Sequence, residues 1–305
     1  MGRTHVFTSW AGRALCVLGL AMALPVFAAT IPIVPGTSMA MDPPEGQCRI
    51  EPSASQFDAG YFATMQQMYA GSNNLLALFI ECDVLASVRQ GMAQPITRWT
   101  IVLLPLSNGQ VIPATGYTRA QVIEEMSKVA AGADLQGVLD GQKDSIEQRV
   151  GQVLQQDTFQ MGQVRSLGLL ARDDAALYSG LHLSQGMTGQ MQNVACVIGM
   201  TVISNHIVTV NAYQPFEGAE TYTDMVEDMQ DAMADLVSMN GGHPSPPALP
   251  AAGDIPPMVP AMGMDASDGG GGGNMLMMIV LGAGVVLAGG LVGFFLTRRK
   301  PGDDT

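Results

Sequence analysis

Residues 275–296 run for 22 positions without a charge. At about 1.5 Å of rise per residue, a helix over this run reaches about 33 Å, enough to cross a hydrocarbon core of about 30 Å. Arg298, Arg299 and Lys300 follow almost at once. Lys and Arg stay on the cytoplasmic side of a spanning helix, so the C-terminus is expected inside and the preceding chain outside. This excludes a simple cytosolic protein. Only one long apolar run is left after processing, which also excludes a multi-pass transporter.

The N-terminus predicts the same orientation independently. Arg3, His5 and Arg13 make a weakly basic start, Ala14–Leu24 is apolar, Pro25 breaks the run, and Val26-Phe27-Ala28 fits the small-residue cleavage rule. That is the layout of a secretory signal peptide over 1–28. The alternative is an uncleaved anchor. Cys16 precedes most of the apolar run, so it is not a lipidation cysteine of the bacterial lipoprotein kind.

Between the domain and the membrane helix lies a stalk, 242–274. Seven prolines fall between Pro244 and Met262, and a glycine run follows at 269–273. The first part is a stiff extended spacer and the second is flexible. Within the apolar run, Gly289 and Gly293 form a small-xxx-small step that lets two helices approach closely. Self-association through this face is therefore a candidate. Asp268 and the five glycines, the apolar run and Arg298-Arg299-Lys300 together resemble the GlyGly-CTERM sorting pattern. That resemblance implies recognition and cleavage of the tail by a rhomboid-type intramembrane protease, although the tail continues from Pro301 to Thr305, past the usual end of such signals.

Lys and Arg number 14 against 27 Asp and Glu, a formal net charge of −13, and no Lys or Arg occurs between Arg172 and Arg298. A nucleic-acid partner is excluded, because phosphate binding needs a basic patch. Once the leader is removed, Cys48, Cys82 and Cys196 would face an oxidising compartment, where disulfides persist. Three cysteines allow at most one internal pair. The expected pair is Cys48–Cys82, which would pin a loose N-terminal strand to a helix and restrict the unfolded chain. Cys196, in an apolar strand, is then expected as a buried thiol.

The domain itself spans 44–241, with 29–43 expected as a loose extension. Gln47–Glu51 reads as a short strand, Leu75–Gln90 as a helix with a broad apolar face, and Ile96–Leu106 as a strand. Thr118-Arg119-Ala120-Gln121 is a capping box opening a helix, and a second helix covers about Lys143–Gln155. From Val164 the period changes to two. Strands are expected at Val164–Ala171, Leu177–Leu183, Asn193–Ile203 and Ile207–Tyr213, with Ser204-Asn205-His206 as a tight hairpin. Thr221–Met239 is a helix with Tyr222, Met225, Val226, Met229, Met233, Leu236 and Val237 on one stripe, ended by Asn240-Gly241-Gly242. The fold class is α+β, an antiparallel sheet of about five or six strands packed by helices. The order of elements, above all the Gly199–Tyr213 hairpin leading into Thr221–Met239, resembles the PsbP-like family of small α+β domains. The resemblance implies an envelope or accessory role without a shared catalytic site.

No nucleotide-binding glycine motif and no zinc-protease motif is present. His182-Leu183-Ser184-Gln185-Gly186 is the nearest thing to a nucleophile elbow, but His182 stands where the first glycine belongs. His182 with Ser184 would be the pair in a hydrolase. Asp224, Glu227, Asp228, Asp231 and Asp235 make one face of the last helix negative, read as a solvated face. Asp173-Asp174 reads as a turn and His206 as a hairpin residue. Met258, Met262 and Met264 lie in the stalk, where thioethers could serve as ligands for Cu(I).

The function expected from sequence is a non-enzymatic cell-envelope protein in the bacterial cytoplasmic membrane, with no cofactor. Its periplasmic domain would bind another envelope protein or act as an assembly or stability factor. The alternatives are a metal or small-ligand binder, a surface protein cleaved at its tail, and a hydrolase.

Overall fold

The computed structural model describes residues 28–242, apart from 93, 108, 133–134, 155–158 and 188–189. The expected leader, most of the stalk, the apolar run with Gly289 and Gly293, and Arg298-Arg299-Lys300 lie outside them. No helix among the described residues is long and apolar enough to cross a membrane.

The chain opens with a hairpin, β1 (Ala29–Val34) and β2 (Thr37–Met41), turning at Pro35-Gly36. Next come β3 (Gln47–Arg49), α1 (Gln56–Tyr69), β4 (Asn73–Glu81), α2 (Cys82–Arg89), β5 (Trp99–Ser107) and the short β6 (Gln110–Val111). Two helices follow, α3 (Arg119–Gly132) and α4 (Leu135–Leu154). The rest is β7 (Phe159–Arg172), β8 (Leu177–Met187), β9 (Gln190–Ile203), β10 (His206–Pro215) and α5 (Glu220–Met239).

The main sheet has eight strands, more than the five or six expected. Its order is β3-β4-β5-β10-β9-β8-β7, with β6 paired to β5, and every pairing is antiparallel. The α+β class is as expected. Side chains alternate along the strands into two cores. On β9, Val194, Cys196, Ile198 and Met200 face the layer formed by α1 to α4, where Tyr61, Met65, Leu85, Met126 and Val150 are buried. Ala195 and Val197 face the other way, against α5 and the β1–β2 hairpin. A Cβ on Gly199 would lie 3.1 Å from both Met229 and Met233, so this glycine lets α5 seat closely on β9.

Two further expectations are corrected. Residues 29–43 are not a loose extension: Ile31, Ile33, Met39 and Met41 of the hairpin are buried in the second core. Leu75–Gln90 is not one helix. Its first part belongs to β4, whose residues 75–80 are all buried, and only Cys82–Arg89 is helical. A strand buried on both faces loses the alternation that marks a strand and reads as a broad apolar face. Helix α1, where no element was expected, fills the interval before β4, with Phe57, Tyr61, Met65 and Met68 along its inner face.

Local chemistry explains the element ends. Ser55 caps α1, its Oγ accepting from the Asp58 N–H at 3.0 Å. The Thr118 capping box is reciprocal: Thr118 Oγ1 accepts from the Gln121 N–H at 3.2 Å, and Gln121 Oε1 accepts from the Thr118 N–H at 2.8 Å. Ser204 and Asn205, at φ 48° and 60°, turn β9 into β10. Helix α5 ends in a Schellman motif. Gly241 takes φ +73°, its N–H donates to Ser238 O at 3.3 Å, and the Gly242 N–H donates to Val237 O at 3.0 Å.

Candidate functional site

Strand β7 is one edge of the sheet, and α4 runs along it. An open edge carries a row of outward peptide groups that must be covered or blunted. Two side chains of α4 take some of them. The Gln136 amide donates to Val164 O at 2.9 Å and accepts from the Ser166 N–H at 2.9 Å. Glu147 Oε1 accepts from the Met161 N–H at 2.7 Å. Register shifts between Met161 and Val164, and between Ser166 and Gly168, bulge the strand on either side of Arg165.

Beside this contact opens a cleft of about 640 Å³ between α4 and β7, within the size range of ligand sites. Gln136, Asp140 and Lys143 line it from the helix, and Gln163, Arg165 and Ser166 from the strand, over an apolar floor of Leu139 and Val164. Lys143 is half-buried and Arg165 exposed. Neither forms an ion pair among the described residues, whereas Arg49, Arg89, Lys128 and Arg172 all do. Asp140 on the lining and Glu147 on the same edge offset Lys143, and Arg165 lies across the strand pair from His182.

The disulfide forms between Cys48 and Cys82, with Cα atoms 4.8 Å apart. It ties β3, the opposite edge strand, to the first residue of α2. Beside it, Asp58 is fully buried and bound by the Arg89 fork, Nε at 2.9 Å and Nη2 at 2.6 Å. The Ser55 hydroxyl also donates to Asp58, and the Glu51 N–H donates at 2.9 Å. Burial pushes the Asp58 carboxyl up, but the Arg89, Ser55 and Glu51 hydrogen bonds outweigh it and hold the pKa below the ordinary value. This node fastens α1, α2 and the β3–α1 connection. The sequence signal was available, since Ser55 and Asp58 have capping-box spacing.

Cys196 is a free, buried thiol, as expected. Burial pushes it up to about 12, which makes it a poor nucleophile. Around it are the fully buried Tyr69, Tyr213 and Asn211, with Trp99 stacked on Tyr213 at 4.8 Å. Burial holds both phenols well above their ordinary range.

His182 and Ser184 occupy one face of β8, with a single residue between them. That is about 6.6 Å of strand, and no hydrogen bond joins them among the described residues. His182 instead packs edge-on against Phe216 at 4.6 Å, with its Nδ1 3.3 Å from the Tyr222 hydroxyl. That hydroxyl donates to Leu181 O at 3.0 Å. Burial, and then Arg165 across the strand pair, lower the His182 pKa. The histidine thus works as a packing residue at the start of α5. The carboxylates Asp224, Glu227, Asp228, Asp231 and Asp235 are all exposed. Asp173 holds its turn by accepting from the Ala175 and Ala176 N–H groups and the Tyr178 hydroxyl. His206 Nδ1 donates to Ser204 O at 2.7 Å within the hairpin. No group of three or more His, Cys, Asp or Glu poised for a metal occurs among the described residues, and Met258, Met262 and Met264 lie outside them.

No protein-family model matches the chain, and no curated protein does.

Proposed function

We propose that the chain is a non-enzymatic bacterial cell-envelope protein, an α+β interaction module held outside the cytoplasmic membrane by a Pro/Gly stalk and one C-terminal spanning helix. The observation that carries this reading is the Cys48–Cys82 disulfide, a bond suited to an oxidising compartment. The bounds of the fold support it. Strand β1 starts at Ala29, the residue after the expected cleavage point, and α5 is closed by Gly241 and Gly242, where the stalk begins. In this reading the PsbP-like resemblance stays as an analogy of element order, and the GlyGly-CTERM-like tail as an alternative fate of the anchor.

Topology reporters test the placement. Alkaline phosphatase fused after Gly242 is expected to be active, and the same reporter fused after Thr305 inactive. The reverse pattern would end the proposal. Crosslinking of the anchored form in cells is expected to capture a reproducible envelope partner, and capture of none would remove the interaction role.

A further inference from the structure

We infer that α4 guards the β7 edge: Gln136, with Arg165 beside it, keeps that edge from pairing with β7 of a second copy of this chain.

Gln136, Asp140, Lys143 and Glu147 recur at i, i+4, i+7 and i+11, a polar stripe along one side of α4. Leu139, Ile146 and Val150 make the neighbouring buried stripe and fix the helix to the core. The helix runs antiparallel to the strand, since Gln136 meets Val164 and Ser166 whereas Glu147 meets Met161. The rise from Gln136 to Glu147 is about 16 Å and the strand from Met161 to Arg165 covers about 13 Å, so the stripe tracks the edge. Gln136 is held on it by three bonds. Its Oε1 accepts from the Ser166 N–H at 2.9 Å, and its Nε2 donates to Val164 O at 2.9 Å and to Asp140 Oδ1 at 2.8 Å.

The two groups that Gln136 covers are self-complementary, which is why a second copy is the occupant. About a two-fold axis through Arg165, the Ser166 N–H of each copy would donate to the Val164 carbonyl of the other, as in an antiparallel pair. No other segment is needed to satisfy all four groups. Arg165 is a second barrier. The same axis would set it directly opposite its own copy, and like charges so placed destabilise a strand pair. The register shifts on either side of Arg165 bend the edge as a third. Helix cover, an edge charge and bulges are the devices that keep sheet edges from joining. The opposite edge carries the simplest device of all, since β3 has only three residues.

Disulfide trapping of the full-length protein in detergent micelles tests the guard. In a non-hydrogen-bonded antiparallel pair the facing Cα atoms lie about 4.5 Å apart, within the reach of a disulfide. Arg165→Cys therefore removes the edge charge and reports the pairing across the axis. With Gln136 in place, linked dimer is expected at the level of a collision control, Asp228→Cys on the exposed side of α5. Adding Gln136→Ala to Arg165→Cys is expected to raise it at least about tenfold, equivalent to about 1.4 kcal/mol in association. Asp140→Ala, which only releases the carboxamide, should give a smaller rise. Protection of Cys196 from alkylation checks folding. Should Gln136→Ala expose that thiol, Asp140→Ala carries the test. No rise in the folded variants would overturn the inference. So would an equal rise when the reporter is Asp228→Cys, which would make the association unspecific. Abundant dimer through residue 165 with Gln136 intact would also overturn it, by showing that the edge is open.

Discussion

The Asn240 carboxamide pairs with the backbone of Ala40, 200 residues earlier in the chain. Its Oδ1 accepts from the Ala40 N–H at 2.9 Å, and its Nδ2 donates to the Ala40 carbonyl at 2.7 Å. The C-cap residue of α5 is thereby hydrogen-bonded to strand β2. The first and last elements among the described residues are fastened to one another by this contact. Replacing Asn240 with Ala leaves those partly buried peptide groups without their partner, at a cost of about 1–2 kcal/mol. Thermal unfolding should register this as a lowered midpoint. An unchanged midpoint would mean that the contact contributes nothing and that the hairpin is held by its buried Ile and Met residues alone.

The Cys48–Cys82 bridge closes a loop with a sequence separation of 34. Chain-entropy arguments assign such a loop about 3–4 kcal/mol. The double substitution to serine is expected to lower the denaturant midpoint accordingly, with native secondary structure retained by circular dichroism. A midpoint equal to that of the wild type would show that β3 is fixed by other contacts.

Asp58 predicts an acid limb in the stability profile. Its carboxyl is held below the ordinary value of 3.8 in the fold, burial being outweighed by the Arg89, Ser55 and Glu51 hydrogen bonds. The native state therefore favours the ionised form more than the unfolded state does. That stabilisation is fully present above about pH 4 and is lost as the pH falls through 3.8 toward the depressed folded value. Asp58→Asn should cost about 3 kcal/mol at neutral pH by leaving the Arg89 fork without its counter-charge. It should also flatten the acid limb. A variant whose stability still falls as steeply below pH 4 would assign that limb to other carboxylates.

Gly199 sets how closely α5 sits on the sheet. A valine there would press into Met229 and Met233, both already at the limit for a single Cβ. Overpacking of this kind costs about 1–3 kcal/mol. The loss should appear as faster hydrogen exchange along α5. Exchange confined to the β9–β10 turn would contradict the packing argument.

What the sequence revealed and what it concealed divide along physical lines. Features written into neighbouring residues were legible: the Thr118–Gln121 capping box, the Ser204-Asn205 turn, the methionine stripe of α5 and its Asn240-Gly241-Gly242 end. The Cys48–Cys82 pair was also legible. Features that depend on distant partners were not. β4 looked like a helix because both its faces are buried, which only the two-sided sheet explains. The β1–β2 hairpin looked loose because Pro32 and Pro35 outweighed the alternation of Ile31 with Ile33 and of Met39 with Met41. α1 is an exception: Phe57, Tyr61, Met65 and Met68 lie at helical spacing behind the Ser55–Asp58 cap, so this helix was legible although no element was expected there. Nothing in the sequence around Gln136 foretells that its amide pairs with an edge strand some thirty residues later.

The central claim is an extracytoplasmic, disulfide-bonded domain on a membrane anchor. Fractionation of the native protein, followed by intact-mass measurement before and after reduction, tests it most directly. The account predicts a membrane-bound species beginning at Ala29 that gains the mass of one hydrogen pair on reduction. Cys196 in that species should be alkylated only after unfolding. A cytosolic species retaining Met1, with no mass change on reduction, would contradict the account.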